Sequence, residues 1–175
     1  MHGKHLRPHG SWPMSARILI VDDHDVVRQG VRSVLLRSRP EWEICGEASD
    51  GKQAIEAVQA LKPDVVILDI TMPNMNGLEA APRIAKLGGN CRILIFTMHE
   101  SERIATDVRN AGAHGYVQKS QAGRDLIVAI DSLLGGGTFF GRNTDPKPSG
   151  SNHPILGIFF CEALCCAWMK RKATT

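Results

Sequence analysis

"VVILDITMPNMNG", residues 65–77, runs from an unbroken apolar stretch to a single carboxylate, Asp69, and then breaks up around Pro73 and Gly77. Val, Ile and Leu in succession, without apolar/polar alternation, are the mark of a strand covered on both faces, as in a parallel sheet. The Pro, Asn and Gly that follow are turn residues and end the strand in a loop. A covered strand gains nothing from a charge at its tip, so Asp69 points to a site at that end of the sheet.

The same alternation extends in both directions. "RILIV" (17–21) ends at Asp22 and Asp23, and residues 25–38 follow with Val27, Val31, Val34 and Leu35 at helical spacing. "WEICGEA" (42–48) reads as a second strand, and 51–61, with Ala54, Ile55, Val58 and Leu61, as a second helix. "DVVILD" (64–69) is the third strand, with a helix at about 77–87 beyond its loop. "RILIFT" (92–97), a helix near 100–111, "HGYVQK" (114–119) and a helix over 122–134 complete five strand-helix pairs. Strands alternating with helices make an α/β fold, a parallel sheet with helices on both faces. In such doubly wound sheets the functional crevice lies beyond the carboxyl ends of the strands.

Those carboxyl ends carry the conspicuous polar residues: Asp22 and Asp23 on the first strand, Asp69 on the third, Thr97 on the fourth and Lys119 on the fifth. Three carboxylates at one rim repel one another unless a cation sits among them. No His/Cys set accompanies them, which favours a hard, oxygen-seeking ion, Mg²⁺ first, over zinc. Lys119 adds a compact positive charge and Thr97 a hydroxyl. Metal, ammonium and hydroxyl around a carboxylate suit a phosphoryl group, whose oxygens need neutralising while a nucleophile approaches in line. Carboxylates serve as such nucleophiles, forming an aspartyl-phosphate.

The motifs "VDDH" (21–24), "LDITMPNMNG" (68–77), "FT" (96–97) and "GYVQKS" (115–120) resemble the receiver domain of two-component response regulators, and the DDH and KS details are similar to its NarL/FixJ (LuxR-type) branch. The resemblance covers about residues 16–138. It implies a CheY-like, flavodoxin-like five-stranded parallel sheet of order 2-1-3-4-5. It further implies Asp69 as phospho-acceptor, and Asp22, Asp23, Asp69 and the backbone carbonyl of Thr71 as Mg²⁺ ligands. Thr97 and Lys119 would hold the phosphoryl oxygens, and Tyr116 would change rotamer when Thr97 moves. The implied partner is a sensor histidine kinase, with a homodimer or other partner bound through the fourth helix, fifth strand and fifth helix. Such a protein is a cytoplasmic signalling receiver and not an enzyme, apart from its own Mg²⁺-dependent phosphorylation and dephosphorylation. Two positions depart from the usual pattern: Ser120 stands where many receivers have Pro, often after a cis bond, and His99 stands two residues beyond Thr97 at a variable position.

Each residue also has a plainer reading. Asp22 and Asp23 could cap the following helix, and Pro73 and Gly77 could be ordinary turn residues. Tyr116 could be a half-buried tyrosine with a wet hydroxyl, Thr97 an unremarkable strand end, and Lys119 a solvated lysine. His24 and His114 read as surface or locally hydrogen-bonded groups, and Cys45 and Cys91 as small buried hydrophobes.

A net charge of +3 raises the question of a nucleic-acid partner, but its distribution argues otherwise. Residues 16–141 hold 14 Lys/Arg against 16 Asp/Glu, whereas a DNA-binding surface calls for a basic stripe. Five cysteines, three of them at 161, 165 and 166, do not form a disulfide framework. "MHGKHLRPHGSWP" lacks the apolar core of a secretory signal. Residues 1–15 therefore read as a disordered extension, with metal binding by His2, His5 and His9 the lesser alternative and Met14 an alternative start. Residues 139–154 read as a linker rich in Pro, Gly and Ser. The final stretch, 155–175, is an atypical apolar tail in place of a helix-turn-helix effector, so DNA binding is not expected from it. Its apolar part, 155–169, would reach about 22 Å as a helix against a bilayer core of about 30 Å, so membrane contact is not expected either. The alternative is a transcriptional regulator that binds DNA through an effector this chain lacks.

Overall fold

The computed structural model describes residues 15–87, 89–98 and 103–140. Five strands, β1 (Arg17–Val21), β2 (Glu43–Ala48), β3 (Val65–Asp69), β4 (Arg92–Thr97) and β5 (Gly115–Gln118), alternate with five helices. These are α1 (Asp25–Ser38), α2 (Gly51–Leu61), α3 (Gly77–Lys86), α4 (Ile104–Asn110) and α5 (Ala122–Leu134). The sheet is parallel throughout, as the alternation of strands and helices implied, and has the order β2-β1-β3-β4-β5 that the family resemblance implied. The fourth helix is shorter than the 100–111 expected, and residues 99–102 lie outside the described set.

Successive strand residues point to opposite faces, and the core divides accordingly. Leu19, Val21, Val66, Leu68, Ile93 and Ile95 pack with Ala54, Val58, Ala80, Ile84 and Val108 of α2, α3 and α4. Ile18, Ile20, Val65, Ile67, Leu94 and Phe96 pack with Val31, Leu35, Leu126 and Ile130 of α1 and α5. Every residue of β3 is buried. Each fully covered Val, Leu or Ile contributes about 1.5–3 kcal/mol, which is why an all-apolar strand is the stable choice here.

Two expectations need correction. β2 is not covered on both faces: Glu43 and Glu47 are exposed and Ile44, Cys45 and Gly46 half-buried, because an edge strand lacks a neighbour on one side. Cys45, on β2, and Cys91, just before β4, are half-buried, not buried. After α5, Phe139 bridges to Gly115 and Phe140 lies against Tyr116. Beyond Phe140, the expected linker and apolar tail fall outside the described residues, as does the extension before Ser15. No helix among the described residues is long and apolar enough to cross a membrane.

Candidate functional site

β1 and β3 are neighbours in the middle of the sheet, so their carboxyl ends put Asp22 and Asp69 side by side. Both are almost fully buried, at 1% and 3% exposure. Lys119 follows β5 and opens a single 3₁₀ turn, Lys119–Gln121. Its Nζ stands 2.6 Å from Asp22 Oδ2 and 3.0 Å from Asp69 Oδ2, one ammonium shared between two carboxylates. Asp69 Oδ1 also accepts the Ile70 N–H at 2.8 Å. Burial pushes the Asp69 carboxyl above the usual carboxylate range. The hydrogen bond and charge of Lys119 pull it down, and the Asp22 charge pushes it up again.

Asp23 is half-buried beside this pair, with His24 Nδ1 2.8 Å from its Oδ1. The same nitrogen is 3.4 Å from Asp22 Oδ1, which also accepts the His24 N–H at 2.9 Å. Asp22, Asp23 and His24 offer ligand atoms within 4.8 Å of one another. Asp22 Oδ2 and Asp23 Oδ1 receive no well-directed hydrogen bond; they meet only Lys119 Nζ and the His24 imidazole at ion-pair distance. Three carboxylates against one lysine leave net negative charge at a largely dry rim. The donors are oxygens apart from one imidazole, so the residues present fit a hard divalent cation such as Mg²⁺.

Thr97 ends β4, fully buried and in register with Gln118, the residue before Lys119. Lys119 Nζ lies 5.8 Å from the Phe96 ring centroid. Thr71 is exposed in the loop two residues past Asp69. Tyr116 is 7% exposed, buried and not half-buried, with its ring packed in the core on the α2–α4 face. Described peptide bonds are all trans, including the one between Lys119 and Ser120. His99 lies outside the described residues.

The loop after Asp69 has a structural use for its Gly and Asn residues. A Cβ on Gly77 would stand 2.0 Å from the Asp69 carbonyl oxygen, and the Gly77 N–H donates to Ile70 O at 2.9 Å. Only a residue without a side chain lets α3 begin against the backbone of Asp69. Asn76 caps α3 by accepting the Glu79 N–H at 2.9 Å, and Asn74 takes a left-handed φ of 63°.

Sequence reasoning missed two supports. Asp50 caps α2 through the N–H groups of Lys52 and Gln53, at 2.8 and 2.9 Å, while its other oxygen accepts from Asn74 Nδ2 at 3.2 Å. Its carboxyl is held below the ordinary range, first by the Gln53 backbone bond. The acid just before a helix was a legible cap signal; the tie to the Asp69 loop was not. Arg28 was missed as well: Nη1 donates to the Asp22 carbonyl at 2.6 Å and Nε to Glu47 at 3.0 Å, anchoring the backbone of the acidic pair to β2. Arg32 donates to the same Glu47 at 2.8 Å and, with Arg28, holds its carboxyl low.

A model of the response regulator receiver domain matches residues 18–131. The chain belongs to that family. The receiver is 35% identical over 123 residues to the transcriptional regulatory protein DegU of Brevibacillus brevis, covering 70% of this chain and 52% of DegU. It is 36% identical over 121 residues to the nitrate/nitrite response regulator protein NarL of Escherichia coli strain K12, covering 69% and 56%. The chain thus spans about half the length of the curated relatives it matches. Among solved structures it superposes on a LuxR family two-component response regulator from Aurantimonas sp. SI85-9A1. That match has a TM-score of 0.69 at 40% identity over 73% of this chain and 91% of that one. It also matches the isolated REC domain of RcsB from Salmonella enterica serovar Typhimurium, solved in the presence of the phosphomimetic BeF₃⁻. There the TM-score is 0.67 at 27% identity, covering 73% and 94%. The receiver therefore sits in the NarL and LuxR-type branch of two-component response regulators.

Proposed function

We propose that Asp69 is the phosphoryl acceptor of this receiver. The observation that carries the reading is a buried carboxylate at a strand end, Asp69, sharing one lysine with a second buried carboxylate, Asp22. A carboxylate oxygen of Asp69 attacks the phosphorus of a phosphohistidine on a sensor histidine kinase. The O–P bond forms as the P–N bond breaks, and its electron pair leaves with the imidazole. Lys119 and the Thr97 hydroxyl hold the phosphoryl oxygens. Asp22, Asp23, Asp69 and the Thr71 carbonyl are the residues that would hold Mg²⁺, which when bound neutralises charge on the carboxylates and the phosphoryl group.

The charge gained at Asp69 acts at a distance only by favouring one of two conformations through differential contacts. Thr97 moving toward the phosphoryl group, with Tyr116 following, supplies them on the surface of α4, β5 and α5. That surface is where a second copy or another partner would bind, in the cytoplasm where the kinase's phosphohistidine is presented.

Incubation with acetyl phosphate and Mg²⁺ followed by intact mass measurement tests the assignment. Wild type should gain the mass of one phosphate and Asp69→Asn should gain none; equal labelling of both would refute it. A second reading, a DNA-binding transcriptional regulator, is favoured by the names of the relatives, DegU and NarL. Sequence-specific gel shift by this chain would support it, and no shift is the result expected here.

A further inference from the structure

Past α5 the chain does not leave the domain at once. It turns at Gly136, with φ 79°, and Gly137, whose N–H donates to Ser132 O at 2.9 Å. Ser132 Oγ then donates to Thr138 O at 3.1 Å. The next residue pairs with the free edge of β5: the Phe139 N–H donates to His114 O at 3.1 Å and the Tyr116 N–H to Phe139 O at 2.8 Å. A Cβ on Gly115 would stand 2.2 Å from Phe139 O, so the strand carries a glycine where the strap crosses it. Phe140 completes the contact. Its ring meets Tyr116 edge-on, with centroids 6.5 Å apart at 60°, and lies 4.0 Å from the guanidinium carbon of Arg109 on α4.

Register places this strap beside the proposed switch. Tyr116 pairs with Ile95 and Gln118 with Thr97, and side chains two apart along a strand share a face. Tyr116 and Thr97 therefore project to the same side of the sheet, one step apart along adjoining strands.

We propose that residues 138–140 form a latch, docked on β5 while Asp69 is unphosphorylated and released when it is phosphorylated. This rests on the roles of Asp69, Thr97 and Tyr116 proposed above. When Thr97 is drawn to the phosphoryl group it vacates volume next to Tyr116, and a close-packed interior does not leave such a gap open. The Tyr116 ring fills it and withdraws from Phe140. The strap then keeps its two backbone hydrogen bonds, the packing of Phe139 on the α1–α5 side of the core and the Arg109 contact to Phe140, but loses the aromatic contact with Tyr116, which moves it toward the low-stability end of the structure. Release returns the β5 edge to solvent. Because coupling is reciprocal, a docked strap must also disfavour the phosphorylated state.

Amide hydrogen exchange of the full chain, with Mg²⁺ and with or without BeF₃⁻ as the phosphoryl mimic, tests the latch; ¹⁹F NMR reports bound BeF₃⁻. The amides of Phe139 and Tyr116 should exchange at least about fivefold faster when BeF₃⁻ is bound, while those of β3 hold. Phe140→Ala should bind BeF₃⁻ at least about fivefold more tightly than wild type, and Phe140→Tyr should match wild type. Bound BeF₃⁻ with unchanged or slower exchange at Phe139 and Tyr116 overturns the latch alone, as does equal or weaker binding by Phe140→Ala. Failure of the wild type to bind BeF₃⁻ overturns the reading of Asp69, and the latch with it.

Discussion

Replacing Asp69 by Asn is expected to stabilise the metal-free fold while abolishing phosphorylation. The carboxylate is 3% exposed, and burial, the largest influence on it, raises its pKa despite the ammonium 3.0 Å away. Its ionised form is therefore under-compensated, and the neighbouring Asp22 charge adds to the strain. Asparagine keeps the size and can still accept the Ile70 N–H. Lys119 retains Asp22 at 2.6 Å, so no ammonium is orphaned. Relieving one poorly compensated buried charge and losing one of its contacts leaves a net gain of about 1–2 kcal/mol. At an m-value of about 1–3 kcal/mol/M, the urea midpoint should rise by roughly 0.5–1 M. The sign with pH follows from linkage. A carboxyl with a raised pKa in the folded state costs stability in full above that pKa and nothing below its unfolded value. The advantage of Asn should thus be largest at neutral pH and fade as pH falls through the raised pKa. Mg²⁺, binding the wild-type cluster better, should narrow the gap. Urea titrations of both proteins with a chelator, across mildly acid to neutral pH, decide the matter. An Asn variant less stable than wild type at neutral pH, or a gap that does not shrink on acidification, would refute the reasoning.

Gly77→Ala places a methyl group 2.0 Å from the Asp69 carbonyl oxygen, so the loop must shift; a loss of about 2–3 kcal/mol is expected in urea titration. His114 has its imidazole pushed down by burial, and its Nδ1 accepts the Ile93 N–H at 3.1 Å. Neutral His114 therefore contributes stability above its ordinary pKa, lost as pH falls through the lower folded value; His114→Gln should flatten that part of the stability profile. The Cys91 thiol is pushed up to about 12 by burial. Native protein should resist iodoacetamide at Cys91 under mildly alkaline conditions, with reaction appearing in urea, and peptide mass mapping checks this.

Much of the fold was legible because it rests on local periodicity. All-apolar runs marked β1, β3 and β4 as covered strands, and 3.6-residue spacing marked α1 and α2. The gathering of Asp22, Asp69 and Lys119 was legible for a related reason: each ends a strand, and parallel strands bring their ends to one rim. What failed at β2 was not the strand but its environment. "EICGEA" says nothing about lying at an edge, which depends on the order in which the strands assemble.

Sequence alone thus determined the element types, the parallel α/β architecture and the acids and lysine at the carboxyl rim. Tertiary structure alone decided that Lys119 bridges two carboxylates, that Arg28 reaches Glu47, 19 residues away, and that Asp50 holds Asn74, 24 residues away. It also decided that the chain after α5 turns back to cover β5 at Gly115. The division has one physical cause. Burial patterns repeat with the period of the backbone and can be seen in a window of a few residues. A hydrogen bond or ion pair between distant residues has no period and exists only once packing brings its ends together.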